Sequence, residues 1–136
     1  MSKLKSSNVL WFWQIEKGNQ VMPFINTKLS CQLSKEKEGS LKTAYGKIIS
    51  MYPGKSEQWL MLNFEDNCRM YFGGTNELPC AVVEVKVLGD KVDVPASEKM
   101  TAAICQTLEE ELSIPKDRIY INYFANVHWG WNGANF

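Results

Sequence analysis

The residues with the most distinctive chemistry form one step, Met22-Pro23, at the start of a patterned stretch of sequence. If the mature chain began at Pro23, its secondary amine would be a general base held in one orientation by the ring. With the preceding residues attached, the same nitrogen is a tertiary amide and has no basic lone pair. The sequence therefore predicts a catalytic base at Pro23 only if Pro23 is a free N-terminus.

Three further polar residues could hold a substrate. Lys55 follows Pro53-Gly54, so it is either a solvated loop lysine or a cation presented to an anionic substrate. Tyr120 and Asn122 are two residues apart in a predicted strand, so their side chains share one face. They could line a pocket; alternatively, Tyr120 is a core or interface aromatic residue and Asn122 satisfies a backbone group.

The C-terminal run from Trp129 to Phe136 alternates aromatic residues with glycines and asparagines. Such a terminus makes a poor core, so it either closes a subunit interface or forms the wall of an apolar site for a ring-shaped ligand. The neighbouring His128 has no Ser, Cys or acidic pattern near it, which is typical of a surface or packing histidine.

The composition excludes several classes of protein. The chain has 136 residues, 45% hydrophobic and 22% charged, which suits one globular domain. Lys+Arg and Asp+Glu are both 15, which argues against a nucleic-acid or anionic-membrane partner. No stretch approaches the roughly 20 apolar residues of a membrane span. With no signal sequence, the protein is expected to be cytoplasmic, or secreted without a signal peptide.

The sequence predicts no cofactor and no metal site. It lacks a glycine-rich nucleotide loop, a nucleophile elbow and a zinc-protease motif. One histidine and four cysteines without a C-x-x-C spacing make a zinc site improbable. We therefore expect the cysteines to be reduced, buried thiols of a cytosolic protein: Cys31, Cys68, Cys80 and Cys105.

The first half of the domain has the order strand, helix, strand. Residues 24–29 alternate apolar and polar side chains, as a strand does. Ser34 precedes acidic residues and an apolar helix face that Pro53-Gly54 ends. Residues 58–64 form the next predicted strand, and residues 69–72 a short return strand.

The second half repeats this order, with a strand over residues 80–88, a helix starting at Ser97-Glu98-Lys99 and ending before Pro115, and a strand over residues 118–124. Helical crossovers favour parallel pairing. We therefore predict an α+β fold of two β-α-β repeats, a four-stranded sheet with both helices on one face. The other face, in strands rich in branched and aromatic residues, would need a partner, so a closed ring of subunits is expected.

Residues 1–22 have no clear periodicity. If they form a real N-terminal arm, Trp11 and Trp13 pack on the domain or on a neighbouring subunit. Alternatively, Glu16-Lys17-Gly18 requires purine-rich codons where a bacterial ribosome-binding site would precede a start at Met22, and the segment would not be translated. The chain is thus divided into an extension, residues 1–22, and a single domain, residues 23–136.

Six motifs of the domain occur together and in order. They are Met22-Pro23, Pro53-Gly54-Lys55, Tyr71-Phe72-Gly73-Gly74-Thr75, Leu78-Pro79-Cys80-Ala81, Asp117-Arg118-Ile119-Tyr120-Ile121-Asn122, and Gly130-Trp131-Asn132-Gly133-Ala134-Asn135-Phe136. With these motifs the chain resembles the macrophage migration inhibitory factor (MIF) family of the tautomerase superfamily.

The resemblance implies a homotrimer of ferredoxin-like subunits with an active site at each interface. It implies cofactor-free keto–enol tautomerisation of arylpyruvates, with Pro23 as the base. Lys55 and the backbone at Leu88 would bind the substrate carboxylate, and Asn122 would reach into a neighbouring subunit's site. Six residues would shape the apolar pocket: Phe24, Trp59, Tyr120, Trp129, Trp131 and Phe136.

The chain departs from the family pattern in ways that affect function. Residues 1–22, if retained, would leave Pro23 without a basic amine. Ser56 replaces the proline usual after Lys55, and Trp59 and Trp129 replace smaller or different pocket residues, which bears on the substrate. Cys80-Ala81-Val82-Val83 lacks the second cysteine of the vertebrate members, so their proposed thiol chemistry is not implied. The alternatives are a non-catalytic, cytokine-like protein with a protein receptor, and a pseudo-enzyme whose Trp11 and Trp13 arm covers the pocket.

Overall fold

A single mixed sheet organises the protein. The computed structural model describes residues 22–135; the predicted extension, apart from Met22, and Phe136 lie outside the described residues. The sheet has the strand order β2-β1-β3-β4, with both outer pairs parallel and the central pair antiparallel. These pairings confirm the two predicted β-α-β repeats. The strands are β1 (Phe24–Leu29), β2 (Met61–Glu65), β3 (Ala81–Leu88) and β4 (Ile119–Asn126).

The first helix, α1 (Lys35–Ile48), begins where the sequence predicts. The Ser34 hydroxyl accepts a hydrogen bond from the Lys37 backbone N–H at 3.1 Å and caps the helix. A 3-10 turn, Ile49–Met51, continues it before Pro53-Gly54.

The second helix, α2 (Val94–Leu112), starts earlier than predicted, so its expected start at Ser97 is wrong. The Asp93 carboxylate accepts from the Ala96 N–H at 3.0 Å, and Pro95 occupies the first turn, where its missing N–H costs nothing. Asp93 and Pro95 are the start signal that the apolar periodicity concealed. The helix ends at Ser113, whose backbone is left-handed (φ 57°).

Both helices pack on one face of the sheet and form the core with it. Alternate strand residues point to this face and are buried, as in the pattern of β3, where every second residue is buried. Each large aliphatic side chain removed from water contributes about 1.5–3 kcal/mol. The fully buried members of this core include Ile25, Leu29, Leu41, Tyr45, Ile49, Val83, Val85, Met100, Ile104 and Leu108.

The face without helices is more polar than expected. A row of polar residues crosses it: Asn63 donates to the Asn26 side chain at 2.8 Å, and Asn26 donates to the Glu84 carboxylate at 3.3 Å. The branched residues that suggested an apolar face here point to the helices instead, because side chains alternate along each strand. Exposed aromatic residues remain on it along β4, namely Tyr120 and Phe124.

Two predicted strand segments have other structures. Residues 57–59 form a 3-10 turn, so β2 begins at Met61 rather than at residue 58. Residues 69–72 form no strand; only Phe72 pairs, with Thr75, across Gly73 and Gly74, whose φ angles are positive. Glycine favours this tight turn.

Arg118 holds the loop that follows this turn. Its guanidinium is buried and donates to the carbonyls of Phe72, Thr75, Leu78 and Pro79 at 2.9–3.3 Å. These bonds satisfy carbonyl groups that no strand pairs, which explains how the loop keeps its shape without a return strand.

The chain after β4 forms a small hairpin of β5 (Gly130–Trp131) and β6 (Ala134–Asn135). Its turn residues, Asn132 and Gly133, both have positive φ, as a two-residue hairpin turn requires. Among the described residues, no helix is long and apolar enough to cross a membrane.

Candidate active site

Pro23 borders a pocket between the start of β1, β2 and the C-terminal hairpin. Pro23 is buried, and its carbonyl accepts a hydrogen bond from the Met61 N–H at 3.0 Å, which fixes the start of β1 against β2. The pocket has a volume of about 750 Å³. Its lining residues are Met22, Pro23, Phe24, Gln58, Trp59, Leu60, Met61, Leu62, Trp129, Gly130 and Trp131.

Aromatic rings from two distant parts of the chain form the walls of this pocket. The Trp59 ring meets the Trp131 ring edge to face, with centroids 5.0 Å apart and planes at 80°. The Trp129 indole N–H donates to the Asn126 carbonyl at 2.8 Å, which fixes that ring at the end of β4. The pocket is therefore apolar and has an ordered shape, as expected for a site that binds an aromatic group.

Met22 is part of the same pocket. Its side chain is buried, at 8% exposure, and its backbone is left-handed, with φ of 69°. A left-handed backbone costs a residue with a Cβ roughly 1 kcal/mol or more. In the chain that carries Met22, this residue acylates the Pro23 nitrogen and covers part of the pocket.

Lys55 is buried rather than solvated, because only 8% of it is exposed. Its ammonium donates to the Leu88 carbonyl at 3.0 Å and lies 5.8 Å from the centre of the Tyr52 ring. Burial lowers the pKa of Lys55 to about 8. The Tyr52 hydroxyl accepts a hydrogen bond from the Asp93 N–H at 2.8 Å. The Tyr52 side chain therefore contacts both the Lys55 ammonium and the start of α2.

Lys55 and Leu88 are not among the residues that line the Pro23 pocket. Two features connect them to it. Lys55 lies two residues before the 3-10 turn Glu57–Trp59, separated from it by Ser56. The antiparallel register of β1 and β3 pairs Phe24 with Lys86; continued by two residues, it brings Met22 opposite Leu88. The buried cation is thus next to the end of the sheet where β1 begins.

Tyr120 and Asn122 lie elsewhere in the protomer. Both are on β4, at the opposite edge of the sheet from β2, and both are exposed, Tyr120 by 64%. The Tyr120 ring packs on Phe72, with centroids 5.1 Å apart. These two residues therefore do not share a pocket with Pro23 within one chain. The last predicted site residue, Phe136, lies outside the described residues.

Sequence reasoning missed six of the lining residues, namely Met22, Gln58, Leu60, Met61, Leu62 and Gly130, and one supporting residue, Arg118. Gln58 and Met61 line the pocket, but a strand prediction that started at residue 58 gave neither a pocket-facing role. Arg118 was noted only as part of a motif. The sequence signal for this role is a charged side chain at the start of an apolar strand, because a cation is tolerated there only if carbonyl or carboxylate groups accept its hydrogen bonds.

No group of three or more potential metal ligands occurs within residues 22–135. The four cysteines are free thiols in this range. Burial raises the pKa of the Cys31 and Cys105 thiols, which disfavours the reactive thiolate.

Comparison with known proteins gives the same family along nearly the whole domain. The family model described as macrophage migration inhibitory factor (MIF) matches residues 22–136. Macrophage migration inhibitory factor of Xenopus laevis is 34% identical over 94 residues, covering 66% of this chain and 78% of the relative. The homolog from Brugia malayi is 30% identical over 121 residues, covering 85% of this chain and 99% of the relative.

Solved structures agree with this result. The crystal structure of Leishmania major MIF2 matches with a TM-score of 0.79 and 36% identity, covering 86% of this chain and 99% of that one. A MIF-like protein of Entamoeba histolytica matches with a TM-score of 0.74 at 22% identity, which supports the fold alone. The chain therefore belongs to the macrophage migration inhibitory factor family of the tautomerase superfamily.

Proposed function

We propose that the domain beginning at Pro23 is a cofactor-free keto–enol tautomerase of arylpyruvates, with the Pro23 amine as the general base. One observation carries this proposal: Pro23 borders an apolar pocket walled by Trp59 and Trp131, large enough for an aromatic ring. A base beside an apolar ring site is what moving a proton next to an aryl group requires.

The reaction moves one proton from carbon to oxygen. The neutral amine of Pro23 takes a proton from the carbon between the ring and the keto group, and the electron pair moves into an enolate. Protonation of the enolate oxygen gives the enol, and the reverse sequence returns the keto acid. An ordinary α-amine has a pKa of about 7.7–8.0, and apolar surroundings and a nearby cation lower it, so the base is neutral at working pH.

Lys55 binds the substrate carboxylate in this proposal. Its ammonium is already desolvated, and its partner within the protomer, the Leu88 carbonyl, is neutral. A carboxylate is a stronger acceptor, since hydrogen bonds between ions are about twice as strong as neutral ones. The same positive charge stabilises the enolate as it forms.

The site is completed by a second copy of the chain. Tyr120 and Asn122 are at the far edge of the sheet from the pocket, so they reach a Pro23 site only across an interface. Large exposed apolar side chains at this edge support such an interface: Tyr71 is 69%, Tyr120 64% and Leu78 55% exposed. We propose a homotrimer in which Asn122 enters the neighbouring site.

The test is phenylpyruvate tautomerisation by protein that begins at Pro23, measured beside the Pro23→Gly variant. Leishmania major MIF2 aligns over 99% of its own chain with 86% of this one, which supports the use of the domain without the extension in this test. We expect a loss of at least about 10²-fold in kcat for Pro23→Gly, the usual contribution of a general base. Equal rates for the two proteins would remove Pro23 from the mechanism.

A second candidate, a non-catalytic, cytokine-like binding protein with a protein receptor, is favoured by Met22. With residues 1–22 retained as a separate extension of the 23–136 domain, Met22 acylates Pro23 and borders the pocket. Intact mass of native material distinguishes the two candidates. A chain starting at Pro23 supports the enzyme, and a chain that keeps residues 1–22 supports the binding protein.

A further inference from the structure

The Pro23 pocket contains one side chain that can both donate and accept a hydrogen bond. This side chain is Gln58; the other lining residues have aliphatic, thioether or aromatic side chains, or are glycine. The tryptophans can only donate, and the Trp129 indole N–H already donates to Asn126. Any polar group of a ligand that needs an acceptor from the lining side chains therefore depends on the Gln58 amide.

Gln58 is held by a short, ordered turn. It is the middle residue of the 3-10 turn Glu57–Trp59, which the Trp59 N–H and Leu60 N–H close through 3.2 Å and 3.1 Å backbone bonds. The turn follows Lys55, and Trp59 is fixed by its contact with Trp131. The Gln58 side chain is exposed and makes no hydrogen bond to any residue within the range 22–135. Its amide is thus available to a ligand.

We propose that Gln58 is a specificity-determining residue that binds a polar substituent on the aromatic ring of the substrate, so that hydroxyarylpyruvates are preferred over unsubstituted ones. This inference rests on the proposed tautomerase function and deepens it. Pro23 and Lys55 account for the keto acid end of the substrate. The ring lies against tryptophan, and a ring hydroxyl is the remaining group that requires a donor–acceptor partner.

The size of the preference follows from the type of bond. An uncharged hydrogen bond contributes a net amount that corresponds to roughly three- to tenfold in affinity. A site built to bind a hydroxyl also leaves its own polar group without a partner when the hydroxyl is absent. We therefore expect the wild-type domain to favour 4-hydroxyphenylpyruvate over phenylpyruvate by about this factor.

The kinetic test compares Gln58→Leu with a matched control, Gln106→Leu, in protein that begins at Pro23. Gln106 is exposed on α2, bonds to Glu110 at 2.9 Å, and does not line the pocket. The ratio of kcat/KM for 4-hydroxyphenylpyruvate to that for phenylpyruvate should fall three- to tenfold in Gln58→Leu and stay constant in the control. A ratio that is unchanged by Gln58→Leu would overturn the proposal.

Asn122 of a second copy is the rival for the same hydroxyl. An Asn122→Leu variant therefore belongs in the same experiment. If the ratio falls in Asn122→Leu and not in Gln58→Leu, the hydroxyl is bound across the interface and the assignment to Gln58 is wrong. A fall in Gln58→Leu supports it, whether or not Asn122→Leu also lowers the ratio.

A binding measurement separates this inference from the tautomerase proposal. 4-Hydroxyphenylacetate and phenylacetate have no keto group, so neither can react, and binding can be followed by the fluorescence of the pocket tryptophans in both the full chain and the chain from Pro23. Gln58→Leu should remove a preference for the hydroxylated ligand. If the chain that begins at Pro23 has no tautomerase activity and Gln58→Leu still removes this preference, the proposed function is overturned and Gln58 remains the ring-binding residue. No difference between wild type and variant would overturn the role of Gln58.

Discussion

The two outer edges of the sheet differ in what they offer a ligand. At the β2 side, Pro23, Trp59 and Trp131 line an apolar pocket. The centroids of the two tryptophan rings are 5.0 Å apart. At the β4 edge, Tyr120 and Asn122 are exposed, and they line none of the pocket around Pro23. One edge has an apolar pocket bordered by Pro23; the other exposes polar and aromatic side chains.

This difference teaches that the residues which the family resemblance assigns to the site lie in two separate places within one protomer. The first set, Pro23, Trp59 and Trp131, lies around the pocket. Beside it, at the end of the sheet where β1 starts, the Lys55 ammonium donates a hydrogen bond to the Leu88 carbonyl. The second set, Tyr120 and Asn122, lies on β4. Arg118 holds the neighbouring loop by a hydrogen bond to the Phe72 carbonyl, and the Tyr120 ring packs on the Phe72 ring. If the account is correct, damage to the first set stops the chemistry, and damage to the second set acts through stability or through the neighbouring subunit's site.

The largest effect should come from the residues before Pro23. The full chain, in which Met22 acylates Pro23, should turn over phenylpyruvate at least about 10²-fold more slowly than the chain that begins at Pro23, since an amide cannot accept the proton. Steady-state rates on two preparations with intact masses verified before and after the assay measure this. Comparable turnover by the two chains would contradict a role for the free amine.

The next largest effect should come from the β4 edge, through stability. Arg118→Leu removes the side-chain donor from the carbonyls of Phe72, Thr75, Leu78 and Pro79. The first two keep their backbone bonds to each other, and the loss at the others should lower the free energy of unfolding by about 3 kcal/mol. Urea unfolding of the variant gives the value. The other arginine, Arg69, is exposed, so Arg69→Leu is the matched control. A loss as large in the control would show that the hydrogen bonds of Arg118 are not the cause.

The Lys55→Met variant should separate an effect on activity from an effect on stability. Loss of the cation should lower kcat/KM by roughly 10- to 100-fold, because a charged hydrogen bond to the carboxylate is lost. Lys99→Met, at an exposed position on α2, is the control. Unchanged kcat/KM in Lys55→Met would assign the carboxylate to another group.

The same residue makes stability depend on pH in a definite direction. Burial lowers the Lys55 pKa from 10.5 to about 8, so the unfolded chain binds this proton more tightly. The free energy of unfolding should therefore rise with pH between about 8 and 10.5, and below pH 8 the buried charge costs about 1–2 kcal/mol after allowance for its remaining hydration. Comparison of wild type with Lys55→Met across this range isolates the effect. Parallel pH dependences would show that Lys55 titrates as an exposed lysine.

The smallest effect should come from Asn122. Asn122→Ala should lower kcat/KM by about three- to tenfold, the value of a neutral hydrogen bond. Mixed assemblies of Asn122→Ala and Pro23→Gly chains test the partition, since a site with intact Pro23 and an intact Asn122 from its neighbour forms only in the mixture. Activity of the mixture above the average of the two variants supports a shared site; activity equal to that average contradicts it.

The sequence predicted the parts of the fold that depend on periodicity. Strand β1 has the predicted bounds, Ser34 caps α1, and both β-α-β repeats are present. The start of α2 was missed because Asp93 and Pro95 lie before the apolar pattern begins. Residues 58 and 59 were assigned to a strand because a 3-10 turn has no periodic signal of its own.

The sequence predicted which residues belong to the candidate site better than it predicted their positions relative to one another. The residue types indicated Pro23 and the C-terminal tryptophans, and the family resemblance added Trp59; the structure places these residues around one pocket. The burial of Lys55 was not predictable, since its acceptor is the Leu88 carbonyl, 33 residues away in the sequence. A backbone carbonyl acceptor cannot be recognised from the sequence. The role of Arg118 was not predicted for the same reason, since all its acceptors are backbone carbonyls.

The most direct test of the central claim is the pKa of the Pro23 amine in protein that begins at this residue, measured by NMR titration with ¹⁵N-labelled proline. The account predicts a pKa below the 7.7–8.0 of an ordinary α-amine, equal to the pKa of the acidic limb of kcat/KM for phenylpyruvate. An amine that titrates at or above 8, or a rate profile that does not follow it, would contradict the assignment of Pro23 as the base.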